Sequence, residues 1–197
     1  MKFLFDLGGV FFDWNPKYFY KKIISNKKDL NFFLTKVCND EWNIKQDAGR
    51  SIKNAETELI LRFPDYENLI KMYYINHRSM IKKTFHQSIE ILKYLKSKNH
   101  NCYVLSNWSA ETFKGMTEDY DFLNSFDGLL ISGEEGLIKP NPNIYKLAIE
   151  RFDLKVSNCV FIDDKFENVN AAKKLGFKII HLVDPSTIKK DIEFFLK

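Results

Sequence analysis

Apolar runs in this chain end repeatedly in residues that can handle charge. Asp6 follows Phe3-Leu4-Phe5, Ser106 follows Val104-Leu105, and the pair Asp163-Asp164 follows Phe161-Ile162. Lys139 adds an ammonium in Gly136-Leu137-Ile138-Lys139-Pro140. Two carboxylates brought together without a cation would repel and take up protons, so a site uniting Asp6 with Asp163 calls for a hard metal such as Mg²⁺. A metal ion, an ammonium and a hydroxyl then surround a space suited to a phosphoryl group, whose charge they neutralise.

Bringing these residues together requires a particular scaffold. Residues 3–5, 103–105, 129–131, 160–162 and 179–182 are short apolar runs, the pattern of strands covered on both faces in a parallel sheet. Amphipathic stretches accompany them: Ile89, Leu92 and Leu95 share a helical face, as do Ile144, Ala148 and Phe152, and Phe166, Val169 and Ala172. Ser109 with Glu111, and Asn141 before Pro142, are helix-start signals. From Phe85 onward the order is that of a doubly wound α/β domain, whose strand ends share the rim where ligands of such sheets bind.

The stretch between the first two strands is far longer than a crossover needs. Residues 16–84 read as helix with no strand of their own, in pieces near 16–25, 28–37, 51–63 and 66–82. An insertion at that point would lie over the rim as a lid. The expected organisation is an α/β core of residues 1–15 and 85–197, interrupted by a helical cap of residues 16–84.

Composition narrows the classes of function. With 197 residues, 45% hydrophobic and 28% charged, the chain suits one globular domain carrying an insertion. The net charge is only +4, four of the 30 basic residues are Arg, and pairs such as Lys82-Lys83 are scattered. Without a polybasic stripe, nucleic acid is not an expected partner. No apolar stretch approaches the roughly 18 residues of a membrane span, and Met1-Lys2-Phe3-Leu4-Phe5-Asp6 is charged too soon for a signal peptide. Cys38, Cys102 and Cys159 lack CxxC spacing and are expected as buried thiols in a reducing compartment, so a cytoplasmic location is expected. The oligomeric state is left open.

The chain resembles the haloacid dehalogenase (HAD) superfamily, mostly phosphohydrolases, through four motifs in order. They are Phe5-Asp6-Leu7-Gly8-Gly9-Val10, Val104-Leu105-Ser106-Asn107, Lys139-Pro140-Asn141-Pro142 and Phe161-Ile162-Asp163-Asp164. Asp13-Trp14-Asn15-Pro16 and Leu105-Ser106-Asn107-Trp108-Ser109 resemble more narrowly a bacterial subgroup that includes glucose-1-phosphate phosphatases. The resemblance implies a Rossmann-like core with an α-helical cap, dependence on Mg²⁺, and Asp6 as a nucleophile that forms an aspartyl-phosphate. It implies Ser106 and the Asn107 backbone N–H as holders of phosphoryl oxygens, and Lys139 as the neutralising cation. Asp6, the Gly8 carbonyl and Asp163 become the metal ligands. Asp164 is expected to bind through water or to orient Lys139, and Asn168 to face the metal's outer shell.

One position departs from the pattern. Most phosphatases of the family carry Asp two residues after the nucleophile as general acid/base, a role worth roughly 10² to 10⁴ in rate; here that residue is Gly8. Either another group such as Asp13 substitutes, or the leaving group needs little help, or the protein is a catalytically weak phosphate-binding module. The dehalogenase branch also lacks that Asp, but it displaces halide from 2-haloacids without a metal and would not need Asp163-Asp164. The acidic pair therefore favours phosphate chemistry on a small phosphorylated metabolite, such as a sugar phosphate. Trp14, Trp42, Asp47, Arg50 and Trp108 are expected to line the space under the cap and set specificity.

Overall fold

The computed structural model describes residues 1–196. Its strands are β1 (Lys2–Phe5), β2 (Phe12–Trp14), β3 (Ile81–Thr84), β4 (Asn101–Ser106), β5 (Gly128–Ile131), β6 (Cys159–Asp163) and β7 (Lys178–His181). Five of them form one sheet in the order β5-β4-β1-β6-β7, with every neighbouring pair parallel. The central strand β1 places Phe5 beside both Val104 and Ile162. Asp6, Ser106 and Asp163 therefore emerge side by side where three adjacent strands end. This is a Rossmann-type α/β fold, as the apolar runs imply.

Hydrophobic coverage of both faces fixes that position. Phe3, Phe5, Val104, Val160 and Ile162 pack with Ile91, Leu92 and Leu95 of helix His86–Ser97 and with Ile188 and Ile192 of the last helix, Ile188–Leu196. Leu4, Leu105 and Phe161 face the other way, against Ile144, Tyr145 and Ala148 of helix Pro142–Arg151 and Val169 and Ala172 of helix Phe166–Lys174. Each such side chain contributes about 1.5–3 kcal/mol when fully buried. A one-residue slip of β1 would exchange these two faces and carry Asp6 away from the rim.

Between β2 and β3 the chain runs through helices Lys17–Tyr20, Lys27–Phe32, Asp40–Asp47, Ile52–Arg62 and Glu67–Ile75, with a π-helical turn at Phe33–Val37. Asn26, Asn39 and Ser51 cap three of them by accepting a backbone N–H. The insert has a hydrophobic cluster of its own, built on Tyr20, Phe33, Trp42, Leu59, Ile70 and Tyr73. It is tied to the sheet layer by Arg78, which donates to the Lys114 carbonyl at 2.8 Å and pairs with Asp119 at 2.7 Å.

Two features differ from the sequence expectation. The stretch 16–84 does contain a strand: Ile81–Thr84 pairs antiparallel with Phe12–Trp14. Ile-Lys-Lys-Thr carries no strand-like alternation, and its partner is distant in sequence, so the pairing is purely tertiary. Helix Asp40–Asp47 fell between the expected pieces because only Trp42 and Gln46 are buried along it, too few to mark a helical period. Cys38, Cys102 and Cys159 are buried free thiols, as expected. Among the described residues no helix is long and apolar enough to cross a membrane.

Candidate active site

The rim gathers one hydroxyl, one ammonium and three carboxylates. The Asp6 N–H donates to the Ile162 carbonyl at 2.8 Å, which carries the sheet one residue past β1 and fixes the side chain above it. Ser106 Oγ donates to Asp6 Oδ1 at 2.7 Å. Lys139 Nζ lies 3.0 Å from that same oxygen, 2.6 Å from Asp163 Oδ2 and 2.8 Å from the Leu105 carbonyl. Its three protons thus meet three oxygens. Lys139 is 1% exposed and Asp163 fully buried, a depth at which an unpaired charge would not survive. Burial alone would lower the Lys139 ammonium, but Asp163 and Asp6 hold it above its ordinary range. Burial, aided by the Asp163 charge, raises the Asp6 carboxyl against the pull of Lys139 and Ser106.

Neighbouring loops hold these groups in place. Asn107 Nδ2 donates to the Lys139 carbonyl at 2.9 Å, and the Lys139 N–H donates back to Asn107 Oδ1 at 2.8 Å. Asn168 Nδ2 donates to both Asp163 oxygens at 3.0 Å, and the Lys165 N–H donates to Asp163 Oδ1 at 2.8 Å. The Asp164 carboxyl packs under Gly9, whose φ of +66° and lack of a Cβ are both required, because a Cβ would strike that carboxyl. Burial and the charges of Asp6 and Asp163 push Asp164 up to about 7. Oxygens of Asp6, Asp163 and Asp164 lie within 4.8 Å of one another. Three hard oxygen donors beside a single ammonium form a set that suits a divalent cation of the Mg²⁺ or Ca²⁺ class.

A cavity of about 320 Å³ opens above Asp6, between the sheet layer and the helical insert. Gly8, Trp108 and Asp164 line it from the sheet side, and Trp14, Ile44, Asp47 and His77 from the β2 and insert side. A Cβ on Gly8 would meet nothing within 4 Å, so the space over that residue belongs to the cavity. Burial and neighbouring Arg78 lower His77 to about 3, which keeps its ring neutral. That ring sits between two indoles, 5.6 Å from Trp14 and 5.5 Å from Trp108 by centroid. Burial lifts Asp47 to about 7, against the pull of Lys165 and the Ser109 backbone.

Asp6, Gly8, Ser106, Asn107, Lys139, Asp163, Asp164 and Asn168 are thus brought together. Asp47, Trp14 and Trp108 join them at the cavity wall. Asp13, Trp42 and Arg50 do not. Asp13 lies on β2 outside the cavity lining and accepts the Tyr18 hydroxyl at 2.7 Å. Trp42 is buried in the insert, where Nε1 donates to the Ala55 carbonyl at 3.2 Å. Arg50 Nε donates to Gln46 Oε1 at 2.7 Å and, with Trp42, lines a separate cleft of about 170 Å³. His77 carried no signal in the sequence, since a lone His at a helix end has no pattern to mark it. The amide of Asn107 was also missed as a clamp on Lys139, for it acts through a contact 32 residues away.

Comparison with known proteins accords with this geometry. A model of the haloacid dehalogenase-like hydrolases matches residues 3–176. The sesquiterpene phosphatase astK of Aspergillus oryzae is 28% identical over 192 residues, covering 92% of this chain and 89% of that protein. The structure of a predicted HAD-like family hydrolase from Porphyromonas gingivalis aligns with a TM-score of 0.76 at 20% identity, over 100% of this chain and 98% of that one. The magnesium complex of HAD family enzyme bt-2542 from Bacteroides thetaiotaomicron gives 0.72 at 21% identity over 91% of each chain. Phosphatases and dehalogenases both occur among the relatives. With the family model spanning the insert and every rim residue, the chain belongs to the haloacid dehalogenase-like hydrolase family.

Proposed function

We propose that this hydrolase is a Mg²⁺-dependent phosphatase that removes phosphate from a small phosphorylated metabolite through an aspartyl-phosphate on Asp6. The observation that carries the reading is the convergence of Ser106 and Lys139 on Asp6 Oδ1 beside a third and a second carboxylate. An Asp6 oxygen attacks phosphorus as the bond to the leaving oxygen breaks, and water then hydrolyses the acyl phosphate to restore the carboxylate. Lys139, Ser106 and the Asn107 backbone N–H neutralise the phosphoryl oxygens during both steps. Asp6, Asp163 and the Gly8 carbonyl would hold the metal, with Asp164 beside them. When bound, Mg²⁺ supplies positive charge to the transferring group and screens the carboxylates from one another. Asn168 and the Lys165 N–H fix the Asp163 carboxylate that would hold it.

The acidic cluster favours this over halide displacement, which needs no metal: Asp163 would still pair with Lys139, but the further carboxylate of Asp164 would have no cation to serve. The relative named a phosphatase covers nearly the whole chain and supports the same choice. Residues 16–84 act as the cap of a core formed by 1–15 and 85–197, and the cavity beneath them takes the organic part of the substrate. Its volume is that of a small-molecule pocket, and Trp14 and Trp108 contribute indole surface to its wall that suits a sugar ring or a hydrocarbon.

Purified protein is expected to hydrolyse an aryl phosphate with Mg²⁺ and to lose the activity with EDTA or on Asp6→Asn substitution. A panel of sugar, prenyl, nucleotide and amino-acid phosphates, scored by released phosphate, then identifies the substrate class. Metal-independent halide release from 2-haloacids, without phosphate release, would replace this reading with the dehalogenase one.

A further inference from the structure

Gly8 leaves the nucleophile without a neighbouring acid/base, and the space over it is open to the cavity. Across that cavity stands Asp47, the last residue of helix Asp40–Asp47. It is anchored to the sheet layer as well as to its own helix. Ser132 Oγ donates to the Asp47 carbonyl at 2.6 Å and itself accepts the Trp108 N–H at 2.9 Å. Asn43 Nδ2 lies 3.5 Å from Asp47 Oδ2. The backbone of Asp47 is therefore fixed at the point where insert and sheet layer are joined, and its side chain lines the same cavity as Asp6 and Gly8.

We infer that Asp47 is the general acid/base of the reaction, reaching from the insert into the room that Gly8 leaves. The assignment rests on the phosphatase reading of Asp6. In the first step the Asp6–phosphorus bond forms, the phosphorus–oxygen bond to the leaving group breaks, and the Asp47 proton passes to that oxygen. In the second step water attacks phosphorus, its proton returns to Asp47, and the Asp6–phosphorus bond breaks to release phosphate.

The other ionisable groups around the cavity are unsuited to this role. Asp6 and Asp164 belong to the carboxylate cluster. His77 is held neutral and has no proton to exchange near neutrality as a cation. Lys165 is a cation beside Asp47, Asp40 is exposed at the edge, and Tyr73 and Tyr74 behind Asp47 are buried phenols pushed above their ordinary range. Burial gives Asp47 a protonated form that persists close to neutral pH, as a general acid requires.

The test compares wild type, Asp47→Asn and the Gly8→Asp/Asp47→Asn double variant on two phosphates with Mg²⁺. One is an alkyl phosphate, whose alkoxide leaves only with a proton; the other is dinitrophenyl phosphate, whose phenolate leaves without one. Asp47→Asn is expected to lose roughly 10² to 10⁴ in kcat on the alkyl phosphate. On dinitrophenyl phosphate it should instead show a burst of one dinitrophenol per protein, because the aspartyl-phosphate forms normally and then waits for a base. The double variant should recover alkyl phosphate turnover. In wild type, kcat/KM for the alkyl phosphate should fall as pH rises through about 7, and Asp47→Asn should lack that limb. Equal losses on both phosphates without a burst, or no loss on either, would overturn the role of Asp47. Wild type that releases phosphate from neither compound would instead overturn the phosphatase reading itself.

Discussion

The side-chain amide of Asn107 and the backbone of Lys139 are bonded in both directions, at 2.9 and 2.8 Å, so the loop after β4 carries the loop that delivers the ammonium. Asn107→Ala removes both bonds and leaves the Asn107 backbone N–H in place. It is expected to cost about 1–3 kcal/mol in stability and roughly 10²-fold in kcat through a displaced ammonium. Asn107→Asp keeps the acceptor for the Lys139 N–H but sets a carboxylate oxygen against the Lys139 carbonyl, so it should not recover the loss. Urea melts and steady-state kinetics on an aryl phosphate check both.

Removal of Lys139 exposes the carboxylates to one another. Lys139→Ala should destabilise the fold by about 3–5 kcal/mol, the range for breaking a buried charge pair, and stop turnover. Because Asp6 and Asp163 then lack their cation, added Mg²⁺ should recover more stability in this variant than in wild type. Thermal melts of both proteins with and without the metal make the comparison.

Metal binding has a readout independent of activity. With Mg²⁺ at 100 times its Kd, the native state gains about 2.7 kcal/mol. Asp163→Asn should abolish that gain, whereas Asp13→Asn should leave both the gain and the activity intact, since Asp13 faces Tyr18 outside the cavity.

His77 links stability to pH. The folded protein keeps its ring neutral down to about 3, while the unfolded chain protonates it near 6.5. Its contribution is therefore neutral above 6.5, and stability is lost as pH falls from 6.5 toward 3, because only the unfolded state takes the proton. Between pH 7 and 5 wild type should lose about 2 kcal/mol more than His77→Gln. Denaturant melts at the two pH values measure the difference.

The parallel strands were legible because each is covered on both faces and so reads as an unbroken apolar run. The rim followed from them, since Asp6, Ser106 and Asp163 stand immediately after such runs. The remainder depends on contacts between distant stretches. Nothing in Ile81-Lys82-Lys83-Thr84 announces pairing with Phe12–Trp14. Nearness in sequence pointed to Asp13 as a partner for Asp6, but a strand's alternation turned Asp13 toward Tyr18, whereas Asp47 comes into range only because Ser132 fastens its helix to the sheet layer. Arg50 and Asp47 lie within one turn of each other and still face different cavities.

The pairing of Trp14 with Ile81 brings the two ends of the insert to a single point beside the loop that follows Asp6. The chain therefore enters and leaves the insert at one place, while Arg78 and Asp47 add contacts to the sheet layer elsewhere. Helices between those two residues take no part in the register of β1, β4 or β6. Asp6, Ser106, Lys139 and Asp163 thus lie outside the insert, and Asp47 reaches the cavity from within it. Transplanting a foreign insert between Trp14 and Ile81 is a direct route to new substrates on unchanged chemistry, provided that it brings its own counterpart of Asp47.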